Sequence, residues 1–146
     1  MVDEYPVAVH LFGLEFGDKL SGYFTKVSGL GGECEVVKHR YINPETYEII
    51  TMTVLGASSW TPIILSRGLT SNGDIWTWYQ KVLDDLEDAR THCSIIAYGP
   101  ELDPVARWDL EDACPIKVTV SDMDASGKDV AVEEVTIVHE GITRVE

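Results

Sequence analysis

No stretch of this chain approaches the roughly 18–20 consecutive apolar residues that a membrane-spanning helix needs. Direct membrane insertion is therefore not expected, even though 45% of the 146 residues are hydrophobic. Basic residues are scarce. Eleven lysines and arginines stand against 25 carboxylates, a formal charge of −14. A surface of that sign repels phosphate backbones and excludes tight, specific nucleic-acid binding. Three cysteines occur, Cys34, Cys93 and Cys114, and no two form a C-x-x-C pair. Zinc-ribbon and thioredoxin-type motifs are thereby removed, and reduced thiols packed as small hydrophobes are expected. The opening MVDEYPVAVH lacks the basic start and apolar run of a secretory signal. Repeats, low-complexity tracts and linker-like stretches are missing too. What is left is one domain, residues 1–146, long enough for an ordinary core without disulfides or metal.

Catalytic signatures are equally thin. The pair His139–Glu140 begins like a zinc-protease H-E-x-x-H, but Thr143 stands where the second histidine belongs. His10, His39 and His92 are scattered. No G-x-S-x-G elbow is present, and VSGLGG lacks the spacing and lysine of a phosphate-binding loop. Asp84–Asp85 and Glu133–Glu134 are carboxylate pairs of the kind any very acidic chain contains. No enzyme activity, metal site or cofactor is expected.

What the sequence does contain is strand after strand. PVAVHLF (6–12) reads as a short strand, and GYFTKVSGLGG ends in a glycine-rich exit. Residues 33–42 and 47–55 read as two strands joined by the turn NPET. The second is apolar on both faces, with Tyr47, Ile49 and Leu55 on one and Ile50, Met52 and Val54 on the other. A strand apolar on both faces needs cover from the rest of the domain or from another subunit. SNGDIWTWYQKVLDDLEDA reads as one helix. Ile75, Trp78, Tyr79, Val82, Leu83 and Leu86 fall near helical spacing, Ser71 or Asn72 serves as N-cap, and Asp74 suits the positive end. Asp84, Asp85, Glu87 and Asp88 crowd the negative end, as a solvated face or as an acidic patch for a basic partner.

Three further strands are expected at HCSIIAYG, VARWDLEDA and PIKVTVSDM, with turns between them. The last strand is expected over about 129–140, with His139 and Glu140 on opposite faces. Its apolar alternation changes phase between Val132 and Val135, across Glu133 and Glu134, which predicts a bulge or a strand that trades one packing layer for another. The fold class is mainly β: an antiparallel β-sandwich or barrel with one flanking α-helix.

Three runs occur in series: FTKVSGLGGECEVVKHR, then LSRGLTSNGDIWTWY, then ARWDLEDACPIKVTVSDMDASGKDVAVEEVTIVHEGI. Their order resembles the tail tube proteins of contractile phages and the inner tube proteins of phage-tail-like contractile injection systems, from about residue 5 to 144. Two departures stand out. YINPETYEII lacks the glycine-rich hairpin tip usual there, and Cys114 replaces a commoner aromatic beside Pro115.

The resemblance implies a homo-hexameric ring with a β-barrel lumen, made in the cytoplasm and stacked into a hollow tube inside a contractile sheath. Implied partners are the sheath protein, the baseplate, a tube terminator and cargo in the lumen. The particle is either released or membrane-anchored. Alternatives of the same kind are the DNA-carrying tube of a phage and a baseplate paralogue that initiates the tube. A monomeric β-sandwich binding module is the alternative of a different class. Within this frame Arg67, Glu140, Ile50, Met52 and Val54 are expected at subunit contacts, with Arg67 read as either an interface residue or a surface arginine with a local partner. Asp84, Asp85, Glu87 and Asp88 are expected to face the sheath.

Overall fold

The computed structural model describes residues 5–16, 19–127 and 130–145. Among them, ten strands and two helices follow in order. They are β1 (Leu11–Phe16), β2 (Lys19–Phe24), β3 (Lys26–Ser28), β4 (Gly32–Ile42), β5 (Ile49–Trp60), β6 (Ile63–Gly68), α1 (Asp74–Asp84), α2 (Leu86–Ala89), β7 (Thr91–Tyr98), β8 (Pro104–Val120), β9 (Val132–Val138) and β10 (Gly141–Arg144). All pairings are antiparallel. The body runs β2-β1-β7-β8-β9-β6-β3, with β10 also on β8, while β4 and β5 pair only with each other.

β8 holds the body together. The two strands expected at VARWDLEDA and PIKVTVSDM are one strand of 17 residues. Its first half pairs with β7 and β10, and its second half, from Cys114, pairs with β9. The turn expected between them is a bend: Asp112 takes a positive φ of 46°, and the β9 register slips between Pro115 and Lys117. The bulge therefore lies opposite β9, not in it. Bending folds the sheet over itself. Leu14, Cys93, Ile95 and Leu110 from one layer then meet Ile63, Leu65, Val135 and Ile137 from the other, all essentially inaccessible. Burying each large aliphatic side chain of this set stabilises by about 1.5–3 kcal/mol.

The helix lies on β8 and β2. Ile75 and Trp78 are its buried residues. The Trp78 indole donates to the Ala89 carbonyl at 2.7 Å and meets Phe16 edge-on at 4.6 Å. Two expectations are corrected. Gly73, not Ser71 or Asn72, occupies the N-cap and makes no side-chain cap bond. Asn72 is engaged sideways instead: its Nδ2 donates to the Ser21 carbonyl at 2.6 Å, while its Oδ1 accepts from the Asp74 N–H. The single helix is also two. Asp85 is extended, and Leu83 is 63% exposed. Crowded carboxylates at the negative end of the dipole oppose continuation there.

At the N-terminal side the strand expected over 6–12 starts only at Leu11. The ladder reaches back one bond, from the His10 N–H to the Tyr98 carbonyl, and β7 ends at Tyr98. At the other end β9 stops at Val138, so His139 and Glu140 form the tight link to β10 rather than the end of a strand.

Candidate assembly surface: a projecting two-stranded arm

Every residue of β4, and every residue of β5 except the half-buried Ile50, is exposed. No body strand or helix among the described residues packs extensively on this pair. At about 3.3 Å per residue, 11 residues make an arm of roughly 36 Å. Its tip is the expected NPET turn. Asn43 closes it by accepting from the Tyr47 N–H, with its side chain accepting from the Glu45 N–H, and Tyr47 takes a positive φ.

The register sorts the arm's faces, because directly opposed residues share a side. Tyr41 opposes Ile50, His39 opposes Met52 and Val37 opposes Val54, giving a largely apolar run on one face, with Glu35 following beside Val37 and Gly56 toward the root. The other carries Val36, Lys38, Arg40 and Ile42 opposite Leu55, Thr53, Thr51 and Ile49. Exposure is high on both: Met52 47%, Val54 44%, Ile49 69%, Leu55 70%. A lone two-stranded hairpin is marginally stable at best in water, and clustered exposed apolar residues mark interaction sites. The described residues of the protomer supply no extensive cover for the arm.

The remaining candidates fall in separate places. Arg67 is not a surface arginine, since it is only 4% exposed in the protomer. It lies inside the body and donates to Glu133 at 3.2 Å and to the Asn72 carbonyl at 3.1 Å, over the Phe24 ring. The two are directly opposed across β6 and β9. The phase change read at Glu133 was a charge in a core position: Glu133, Val135 and Ile137 all point inward. The signal was present in the sequence, since Arg67 shares a phase with Ile63 and Leu65 in the same way. Glu140 points outward and accepts from Arg90 at 3.1 Å, with the pair 62% and 40% exposed. His139 points inward toward Trp60, ring centroids 5.7 Å apart. Asp84 and Asp85 end α1 and Glu87 lies in α2, all three exposed. The Asp88 side chain lies outside the described residues.

On the outer side of β7 and β8 a second polar cluster was not anticipated. Asp109 accepts from Ser94 at 2.7 Å and from Arg107 at 3.2 Å. Arg107 also reaches Ser94 and lies 3.8 Å from Glu15. The Ser94 hydrogen bond, followed by those from Arg107, holds the Asp109 carboxyl below its ordinary pKa despite burial. Burial, reinforced by Asp109, pushes the Cys93 thiol up to about 12. The Ser94 hydroxyl that meets Asp109 is itself only 1% exposed, and no three metal-ligating side chains come together among the described residues.

A family model for the T4-like virus tail tube protein gp19 matches residues 9–143. The chain belongs to this tail tube family. Solved structures agree on the fold. A chain of the extended sheath–tube complex of the extracellular contractile injection system PVC is 24% identical, with TM-score 0.76, covering 97% of this chain and 93% of that one. A chain of the anti-feeding prophage tube-terminating cap has TM-score 0.76 at 22% identity, covering 99% and 94%. A chain of the six-fold symmetrised anti-feeding prophage baseplate has TM-score 0.72 at 19% identity, covering 99% and 97%. Curated protein sequences returned no match. Within the tail tube family, the expected mainly-β fold with a flanking helix is what the structure has.

Proposed function

We propose that this chain is the inner-tube subunit of a contractile injection machine. Six copies join into a ring, rings stack into a hollow tube, and a surrounding sheath drives that tube forward. The observation that carries this reading is the arm. It exposes apolar side chains on both faces of a hairpin that has no reason to be stable alone. In a ring each arm lies against the next copy, and its free edges disappear as sheets close into a barrel. Ile50, Met52 and Val54, which share one face of the hairpin, are the residues assigned to the neighbouring copy. Glu140, exposed and paired with Arg90, is likewise assigned to a subunit contact. Asp84, Asp85 and Glu87 are assigned to a basic sheath surface.

Sheath, baseplate and terminator are the proposed partners, and cargo passes through the lumen. The chain's charge of −14 gives a ring that repels acidic cargo and lets it slide. Tube subunits of this kind transmit force and enclose material, and no catalysis is assigned. The family model carries a phage name, which supports a second reading as the tube of a contractile phage. Neighbouring genes separate the two: capsid and terminase genes accompany a phage, whereas a sheath and an ATPase without capsid accompany an injection system.

Negative-stain imaging of the purified chain together with its baseplate is the decisive experiment. Rings and tubes of six-fold symmetry are expected. A chain that stays monomeric at high concentration with baseplate present overturns the reading.

A further inference from the structure

Residues 5–10, YPVAVH, lead into β1 with a strand-like pattern and no partner. All six are exposed. Tyr5, Val7 and Val9 alternate as on one face of a strand, at 84%, 55% and 45% exposure. The His10 N–H donates to the Tyr98 carbonyl, the last link to β7. Upstream of it, no backbone group of residues 5–9 is paired among the described residues. Extended chain turns successive N–H groups to opposite sides. His10 faces β7, so position 6 does too, and the missing donor of Pro6 falls on that side. Val7 and Val9 turn their N–H groups the other way. There β2 has already ended at Phe24, opposite Phe12.

β5 is the other incomplete element. It pairs with β4 alone, so one of its edges is open along the whole arm. Natural sheet edges are guarded by charge, proline or a bulge. β4 carries Lys38 and Arg40, whereas β5, IITMTVLGASSW, has neither a charged residue nor a proline. Its one irregularity sets Gly56 and Ala57 against the single Glu35, toward the root, and leaves residues 49–55 regular. The two incomplete pieces leave the body at opposite ends. Leu11 begins β1 beside Tyr98, which pairs with Pro104. The root of the arm, at Trp60, lies by His139, whose neighbour Glu140 bonds to Glu111. From Pro104 to Glu111 the strand β8 runs roughly 23 Å.

Resting on the tube reading above, we propose that residues 5–10 of one copy add as a third strand to the open edge of β5 in a neighbouring copy, along residues 49–55. Main-chain hydrogen bonds through Val7 and Val9 hold the added strand, and its alternating side chains widen an apolar face. A third strand also lifts the arm out of the marginal stability of a lone hairpin. The lengths agree: six residues span roughly 20 Å and residues 49–55 about 23 Å. Charge selects the edge. Copies of a chain with charge −14 repel one another. The added segment carries no formal charge, and β5 is the arm strand that carries none either, so the two approach without repulsion. The contact is head-to-tail, each copy giving one strand and receiving one.

Hydrogen–deuterium exchange of the full-length chain, free and assembled on its baseplate, tests the added strand, with negative-stain images of the same samples. Amides of residues 49–55 are expected to slow by about tenfold or more in tubes. Val7→Pro with Val9→Pro removes the two donors facing the new partner and is expected to lose that protection, and the tubes with it. Ala8→Pro is expected to keep both, since proline is tolerated where the N–H of an edge strand points away from the ladder. A second measurement is independent of these prolines. In a Cys34→Ser background, chains carrying Val7→Cys and chains carrying Thr53→Cys are assembled together, and a short bis-maleimide is expected to join one to the other. Four results overturn strand addition while leaving the tube reading standing: tubes in which residues 49–55 exchange as fast as in the free chain, protection that survives the double proline, protection lost in Ala8→Pro, or mixed tubes without the cross-link. A natural chain that forms no tubes on its baseplate overturns the tube reading, and strand addition with it.

Discussion

Arg67 and Glu133 stand directly opposite each other on β6 and β9, their charged ends 3.2 Å apart and their side chains only 5% and 2% exposed. A buried pair of this kind is dangerous to break because the survivor is left charged in the core. Glu133→Ala is therefore expected to cost about 3–5 kcal/mol. The doubly apolar Arg67→Met with Glu133→Leu should recover most of that loss, since neither charge then remains. Denaturant midpoints of the three proteins check this. A single variant as stable as the natural chain would sink the account.

The face of the arm that carries Ile50, Met52 and Val54 is expected to matter for assembly and not for folding. Met52→Asp or Val54→Asp places a carboxylate where the neighbouring copy should sit, and burying it unpaired is costly. Rings and tubes should be lost in negative-stain images. Because both residues are exposed in the protomer, the melting temperature of the unassembled chain should hardly move. A large drop in monomer stability would place these side chains inside the protomer fold.

Glu140 offers a cleaner division of the same kind. Its pair with Arg90 is solvent-exposed, and exposed pairs contribute about 0–1 kcal/mol. Glu140→Ala should leave the monomer's unfolding curve nearly unchanged while weakening ring assembly. Equal assembly by the variant, at matched concentration and salt, removes Glu140 from the interface.

Acid should find Asp109 among the body's first losses. Its pKa is depressed in the folded chain, chiefly by Ser94 and then by Arg107. The stabilisation is present above the ordinary carboxylate pKa of 3.8 and disappears as pH falls through the lower folded value. Ser94→Ala removes the leading cause and should shift the acid-unfolding midpoint upward. An unmoved midpoint would mean that Ser94 does not set that pKa.

The three thiols should separate by accessibility. Cys34 lies exposed on the arm, whereas Cys93 and Cys114 are buried. Burial also holds the Cys93 thiol protonated, with a pKa of about 12, and a protonated thiol is a poor nucleophile. A thiol-reactive dye should label one equivalent quickly in the folded chain, and Cys34→Ser should abolish that phase. Fast labelling of two or three would contradict the packing.

Much of the architecture was legible because local pattern and tertiary demand agreed. The β4–β5 hairpin had two long β-rich runs and a turn of Asn and Pro between them, and its two apolar faces announced missing cover. The body was harder. β8 read as two strands because Pro115 and the acidic residues before it look like a turn, and only the partners on either side show that the chain bends and continues. β10 is four residues long, too short for alternation to register. The Arg67–Glu133 pair was visible only as two separate irregularities, since nothing in one dimension says that positions 66 apart will oppose each other.

Finally, the path of β8 has a mechanical meaning. The two layers of the body share this strand, joined by covalent backbone across the bend at Asp112–Pro115 as well as by side-chain packing. A load that slides one layer over the other must strain peptide bonds or strip ladder hydrogen bonds along both halves of β8 together. Side chains pressed face to face yield more readily than that. Such a keel stiffens the body against shear between its layers.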